Sequence, residues 1–170
     1  MGSRTIGKIF KATVADRAHL RRSVAELELG HNMKANSTGY SGTPLAKKLG
    51  INAGARVWTV DAPEDYANLL APLPEGVVFE KRLSKRTGVV HLFSVHKARL
   101  AAMLEMLRHS IQPDAAVWVS WPKKASKVPT DITEETIREL ALPLEFVDIK
   151  VCAVSEVWSG LKLVIRKKLR

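Results

Sequence analysis

Short apolar runs separated by polar turns set the pattern of this chain. The clearest run is Ala115, Ala116, Val117, Trp118, Val119, Ser120 and Trp121, stopped by Pro122. A run this short and rich in Val and Trp predicts a strand buried on both faces, as in a parallel sheet. Residues 56–61, 77–80 and 89–95 have the same character. Leu100, Met103, Leu104, Leu107 and Ile111 recur at helical spacing, with Arg99, Glu105 and Arg108 largely off that stripe. That spacing predicts an amphipathic helix between two strands, with a right-handed crossover.

Three shorter helices are predicted from their punctuation. In 40–50, Thr43 suits the cap, Pro44 the first helical position and Gly50 a left-handed exit, and Leu45 and Leu49 share one face. Pro63, Glu64 and Asp65 open a helix through Tyr66, Leu69 and Leu70. Asp131 with Glu134, or Thr133 with the acids after it, starts one through Ile137 and Leu140, ended by Pro143. Val147, Ile149, Val151 and Ala153 then alternate with polar positions, and 161–166 is a further apolar run. Two such strands with a short connection predict an antiparallel pair closing one sheet edge.

Residues 1–32 differ from the rest. Val14, Ala18, Leu20, Val24 and Leu27 form a weak helical stripe, followed by a polar stretch over 31–39, and Met33 sits where a shorter protein could begin. Residues 1–37 are therefore expected to be a peripheral extension and linker, and 38–170 the folded domain.

Composition narrows the class. At 170 residues, 46% hydrophobic and 26% charged, the chain suits one soluble domain with its own core. No apolar run approaches the ~20 residues of a membrane helix, so no membrane contact is expected. The lone Cys152 fits a reducing cytoplasm and reads as a packed thiol. A net charge of +10 biases encounters toward nucleic acid, anionic ligands or acidic proteins. The densest basic groups are Lys81 and Arg82 with Lys85 and Arg86, Lys123 and Lys124 with Lys127, and the stretch 166–170.

Candidate chemistry follows from strand direction, because ligands of open α/β sheets sit beyond the carboxyl ends of the strands. That edge should carry Asp61, His96, Trp121, Lys123, Lys124, Lys127 and Trp158. A second candidate is an anion pocket of Tyr40, Ser41, Thr43 and Lys47 at a helix start. No metal is expected: His91 and His96 fall on opposite faces of one extended segment, and Cys152 is remote. Ser120 lacks the glycines of a nucleophile elbow.

The element order resembles a shortened class I methyltransferase fold. Residues 89–95, the helix ending near Ile111 and residues 116–121 resemble its fourth strand, following helix and fifth strand. The closing antiparallel pair is similar to its last two strands. The resemblance implies a three-layer Rossmann-like α/β sandwich, with a mostly parallel sheet, an antiparallel C-terminal strand pair and one strand–helix unit missing after 77–80. It also implies an S-adenosylmethionine site at a glycine-rich turn after the first strand, with an acid such as Glu80 on the ribose. Here that turn is Asp61, Ala62, Pro63, Glu64 and Asp65, with no glycine. Pro63 removes a donor and the acids repel a carboxylate.

Residues 40–50, 119–126, 147–154 and 158–162 also resemble a bacterial domain-of-unknown-function family (three-zero-five-two), over about 38–166. The expected function is a non-catalytic binding protein that lost the methyl-donor site, needs no cofactor and holds an anionic ligand or a protein partner. A methyltransferase-like enzyme with an altered pocket and a basic nucleic-acid-binding domain are the alternatives.

Overall fold

The computed structural model describes residues 42–169. The expected extension at 1–37, and Tyr40 and Ser41 with it, lie outside the described residues.

The elements run α1 (Leu45–Leu49), β1 (Arg56–Val60), α2 (Tyr66–Leu69), β2 (Val78–Glu80), β3 (Val89–Phe93), α3 (Lys97–Ser110), β4 (Ala116–Pro122), α4 (Glu134–Ala141), β5 (Phe146–Ala153) and β6 (Trp158–Ile165). The strands form one six-stranded sheet in the order β2-β1-β3-β4-β6-β5. β1 pairs in parallel with β2 and β3, and β3 with β4, while β6 lies antiparallel to both β4 and β5. This is the mostly parallel sandwich with an antiparallel C-terminal pair that the pattern predicts. No strand–helix unit stands between β2 and β3; an eight-residue loop, 81–88, joins them instead.

Alternation along the strands builds two cores. On one face Val90, Leu92, Val117, Val119, Leu161 and Leu163 pack with α3 and α4. On the other Val57, Val89, Phe93 and Trp118 pack with α1 and α2. All five residues of β3 are buried, as its unbroken apolar pattern requires with helices on both sides. The Trp118 indole N–H donates to the Leu49 carbonyl at 2.8 Å, tying the end of α1 to the central strand.

Capping matches the sequence at Thr133 and Gly50 and departs at Thr43 and at α2, where Pro63 and Glu64 precede the helix and Asp65 is its cap without a side-chain bond. Thr133 accepts from the Thr136 N–H at the start of α4, and Gly50 leaves α1 with φ +76°. Thr43 does not cap α1. Pro44 occupies that position in extended geometry (ψ 143°) with no side-chain bond. A five-residue helix has little terminal field for a hydroxyl to complement, and its stability comes from burying Leu45 and Leu49.

Candidate functional site

The carboxyl ends of β1, β3 and β4 bring together several of the expected residues. Asp61 follows β1, His96 precedes α3, Lys123 follows β4, and Trp158 pairs with Pro122 across β4 and β6. Asp61, Phe93, Ser94, Arg99, Leu100 and Met103 line an open depression that encloses only about 10 Å³. Small-molecule sites usually enclose ~300–1,000 Å³, so this one is shallow.

Its charges are already matched. The Asp61 carboxylate meets the Arg99 guanidinium at 2.5 Å, with both side chains about half exposed. Asp61 itself has φ +54°, the left-handed region that favours glycine. The turn geometry of a glycine is thus kept while a carboxylate occupies its place.

Along the same edge, Lys97 donates its backbone N–H to Asp131 at 2.6 Å and pairs its ammonium with Glu139 at 3.1 Å. Lys123 Nζ donates to the Ser155 carbonyl at 2.6 Å and is half-buried, so it braces the β5–β6 connection. That leaves Lys124 and Lys127 of the basic loop exposed, on one turn of 3₁₀ helix and its left-handed cap. Trp121 is 9% exposed and belongs to the α3–α4 core, so its ring offers no free stacking face. Trp158 is half-buried and stands edge-on to Phe93, centroids 5.2 Å apart. Thr43, just before α1, and Lys47 on it are exposed, while the buried face of α1 packs in the other core.

Glu80 closes β2 and has a side chain only 7% exposed. Its Oε1 accepts from Arg56 Nε and from Ser84 Oγ, each at 2.9 Å, and its Oε2 accepts from Thr87 Oγ1. Burial pushes this carboxyl up, but the hydrogen bonds from Thr87, Arg56 and Ser84 and the Arg56 charge outweigh it, leaving it below the usual carboxylate range. Both oxygens are committed to holding the 81–88 loop. A ribose hydroxyl pair would have to displace those donors. With Glu80 engaged, Asp61 paired and no glycine in the turn, the residues present do not fit S-adenosylmethionine.

A second polar feature escaped sequence reasoning. Tyr66 Oη lies 2.7 Å from His91 Nδ1, and His91 Nε2 lies 2.7 Å from Ser120 Oγ. All three residues are buried, with Phe93 stacked on the imidazole at 4.3 Å. Burial holds His91 down to about 3 and pushes the Tyr66 phenol up, so the ring stays neutral. One ring nitrogen then donates and the other accepts, and a hydroxyl serves each. The arrangement has the parts of a nucleophile, base and orienting group. Its seal decides against that role, because Ser120 is 0% exposed and no substrate reaches it. Gly160 helps form the seal: a Cβ there would lie 2.9 Å from Val154 Cγ2 and 3.3 Å from Ser120 Oγ. The only hint in the sequence is a histidine in an otherwise apolar strand.

Cys152 is half-buried, and burial pushes its thiol up by more than the Lys150 and Lys48 charges pull it down. That disfavours the thiolate a nucleophile needs.

Similarity to solved structures defines the class of fold. The chain resembles a putative type 11 methyltransferase from Sulfolobus solfataricus, with TM-score 0.53 and 12% identity over 72% of this chain and 90% of that one. It resembles an S-adenosylmethionine-dependent methyltransferase from Aquifex aeolicus, with TM-score 0.54 and 12% identity over 71% and 87%. Against human N-acetylserotonin methyltransferase, at TM-score 0.43 and 13% identity, 66% of this chain spans only 40% of that one. The fold is methyltransferase-like. No protein-family model matches the sequence, and no curated protein is significantly similar to it.

Proposed function

We propose that the chain is a binding protein built on a methyltransferase-like sheet, with its own side chains filling the methyl-donor site. Glu80 carries this reading: the acid placed to hold a ribose spends both oxygens on Arg56, Ser84 and Thr87. The Asp61–Arg99 pair supports it at the adjoining turn. An anionic ligand or a protein partner would meet the carboxyl edge through Lys124 and Lys127, whose ammonium groups have no partner among the described residues. The motifs in 40–50, 119–126, 147–154 and 158–162 support membership of the bacterial family of unknown function named above, and the lone cysteine supports a cytoplasmic setting.

A second reading, a methyltransferase with an altered pocket, draws on the likeness of fold to the Sulfolobus and Aquifex proteins. Thermal unfolding with about 1 mM S-adenosylmethionine or S-adenosylhomocysteine separates the two. A ligand present at 100 times its Kd stabilises by about 2.7 kcal/mol, a rise of several degrees in Tm. The binding-protein reading predicts no rise with either compound. A rise of several degrees favours the enzyme.

A further inference from the structure

The 81–88 loop bridges the gap left by the absent strand–helix unit, and it carries four exposed cations within six residues. Lys81, Arg82, Lys85 and Arg86 are all exposed, and none of their side chains has an ion pair or hydrogen bond among the described residues. Arg56 stands beside them, held to Glu80 through Nε with its side chain 36% exposed. From Gly76 to Leu104 the sequence contains no acid except Glu80, whose carboxylate is nearly buried.

The loop is also fixed in shape. Ser84 and Thr87 bind the Glu80 carboxylate, the Ser84 N–H donates to Thr87 Oγ1, and the Thr87 N–H returns to the Ser84 carbonyl. The Arg86 N–H bonds Ser84 Oγ, and the Gly88 N–H bonds the Arg56 carbonyl. Lys85 and Arg86 are therefore presented at the tip of a closed turn, with little ordering left to occur on binding.

We infer that this loop is a docking surface for the phosphate backbone of nucleic acid. The alternative occupant of a basic surface is an acidic protein, but such interfaces need a buried apolar core. The one apolar side chain here, Leu83, is half-buried against the α3–α4 core instead. What remains outside is charge, which suffices for backbone phosphates. Two of the four cations are arginines, whose planar fork matches phosphate oxygens. The inference does not rest on the proposed function above, since no residue of 81–88 lines the Asp61–Arg99 depression.

The test is fluorescence anisotropy of a labelled mixed-sequence DNA duplex with the full chain, titrated from low to physiological salt. Contact with about four phosphates predicts an affinity that falls roughly 100-fold between 50 and 200 mM salt. Lys81→Ala, Arg82→Ala, Lys85→Ala and Arg86→Ala together should weaken binding at least tenfold and flatten the salt slope. A control removing the same charge away from both surfaces, Lys150→Ala, Arg166→Ala, Lys167→Ala and Lys168→Ala, all exposed, should bind within about threefold of the parent. Should the first variant melt early, Arg86→Gln alone, exposed at the turn tip, should lower the slope by about one counterion. Equal weakening by both multiple variants would reduce the effect to net charge and overturn the inference. So would no binding at low salt, or polyglutamate binding as tightly as the duplex through the same loop.

Discussion

Glu80 and the four cations that follow it are neighbours in sequence and opposites in chemistry. The carboxylate is buried with three donors, whereas the charged groups of Lys81, Arg82, Lys85 and Arg86 reach solvent with no partner among the described residues. The same division runs through the molecule. Inside, Tyr66, His91 and Ser120 satisfy one another, and no buried side-chain polar atom among the described residues lacks a hydrogen-bond partner. The difference teaches where recognition can occur. Groups matched within the chain build the fold, and only unmatched ones have interaction energy left for something else.

The largest expected effect tests the matched side. Glu80→Ala orphans Ser84, Thr87 and Arg56 at once, and hydrogen bonds to a charged acceptor contribute ~1.5–3 kcal/mol each before screening. Because Arg56 is partly exposed, a total loss of about 3 kcal/mol is expected, read by urea unfolding. A loss under ~0.5 kcal/mol, the range of an ordinary surface substitution, would place Glu80 with the free charges instead.

Next in size is a pH effect. His91 is held at about 3 when folded, against 6.5 as its ordinary value. Between those values the unfolded chain binds the extra proton, so stability falls as pH drops. From pH 7 to 5 the loss should be roughly 2 kcal/mol, and His91→Gln should remove that slope. Glu80 adds to acid loss only lower, as pH falls below about 4.5 through its depressed folded value.

The Asp61–Arg99 pair should matter less. Both side chains are about half exposed, and such pairs contribute ~0–1 kcal/mol. Asp61→Gly should be close to neutral in thermal unfolding, since the lost pair is offset by relief of the positive φ. Smallest of all, Lys124→Ala with Lys127→Ala should change stability by no more than about 0.5 kcal/mol. Lys123→Ala should exceed that pair, because its ammonium braces the Ser155 carbonyl.

The frame of this division is legible in the sequence. The unbroken apolar pattern of 89–95 and 115–121 announces buried parallel strands, and alternation at 147–153 announces the edge hairpin. The carboxyl-edge positions of Asp61, His96 and Lys123 follow from strand direction. Pairing is the part that cannot be read. His91 and Ser120 are 29 residues apart and meet only through the register of β3 on β4. Arg99 finds Asp61 only because α3 returns across the sheet. Trp121 looks like a rim aromatic beside three lysines, yet the α3–α4 face is deep enough to bury it. The Glu80 network has a local signature, hydroxyls four and seven residues beyond an acid, but nothing in it distinguishes a pinned loop from a ribose site.

Calorimetric titration of the full chain with S-adenosylmethionine tests the central claim most directly. If Glu80 and Asp61 are filled from within, the parent protein gives no saturable heat up to millimolar ligand, and neither does Asp61→Gly, because Glu80 is still engaged. Saturable binding to the parent at micromolar Kd would contradict the account.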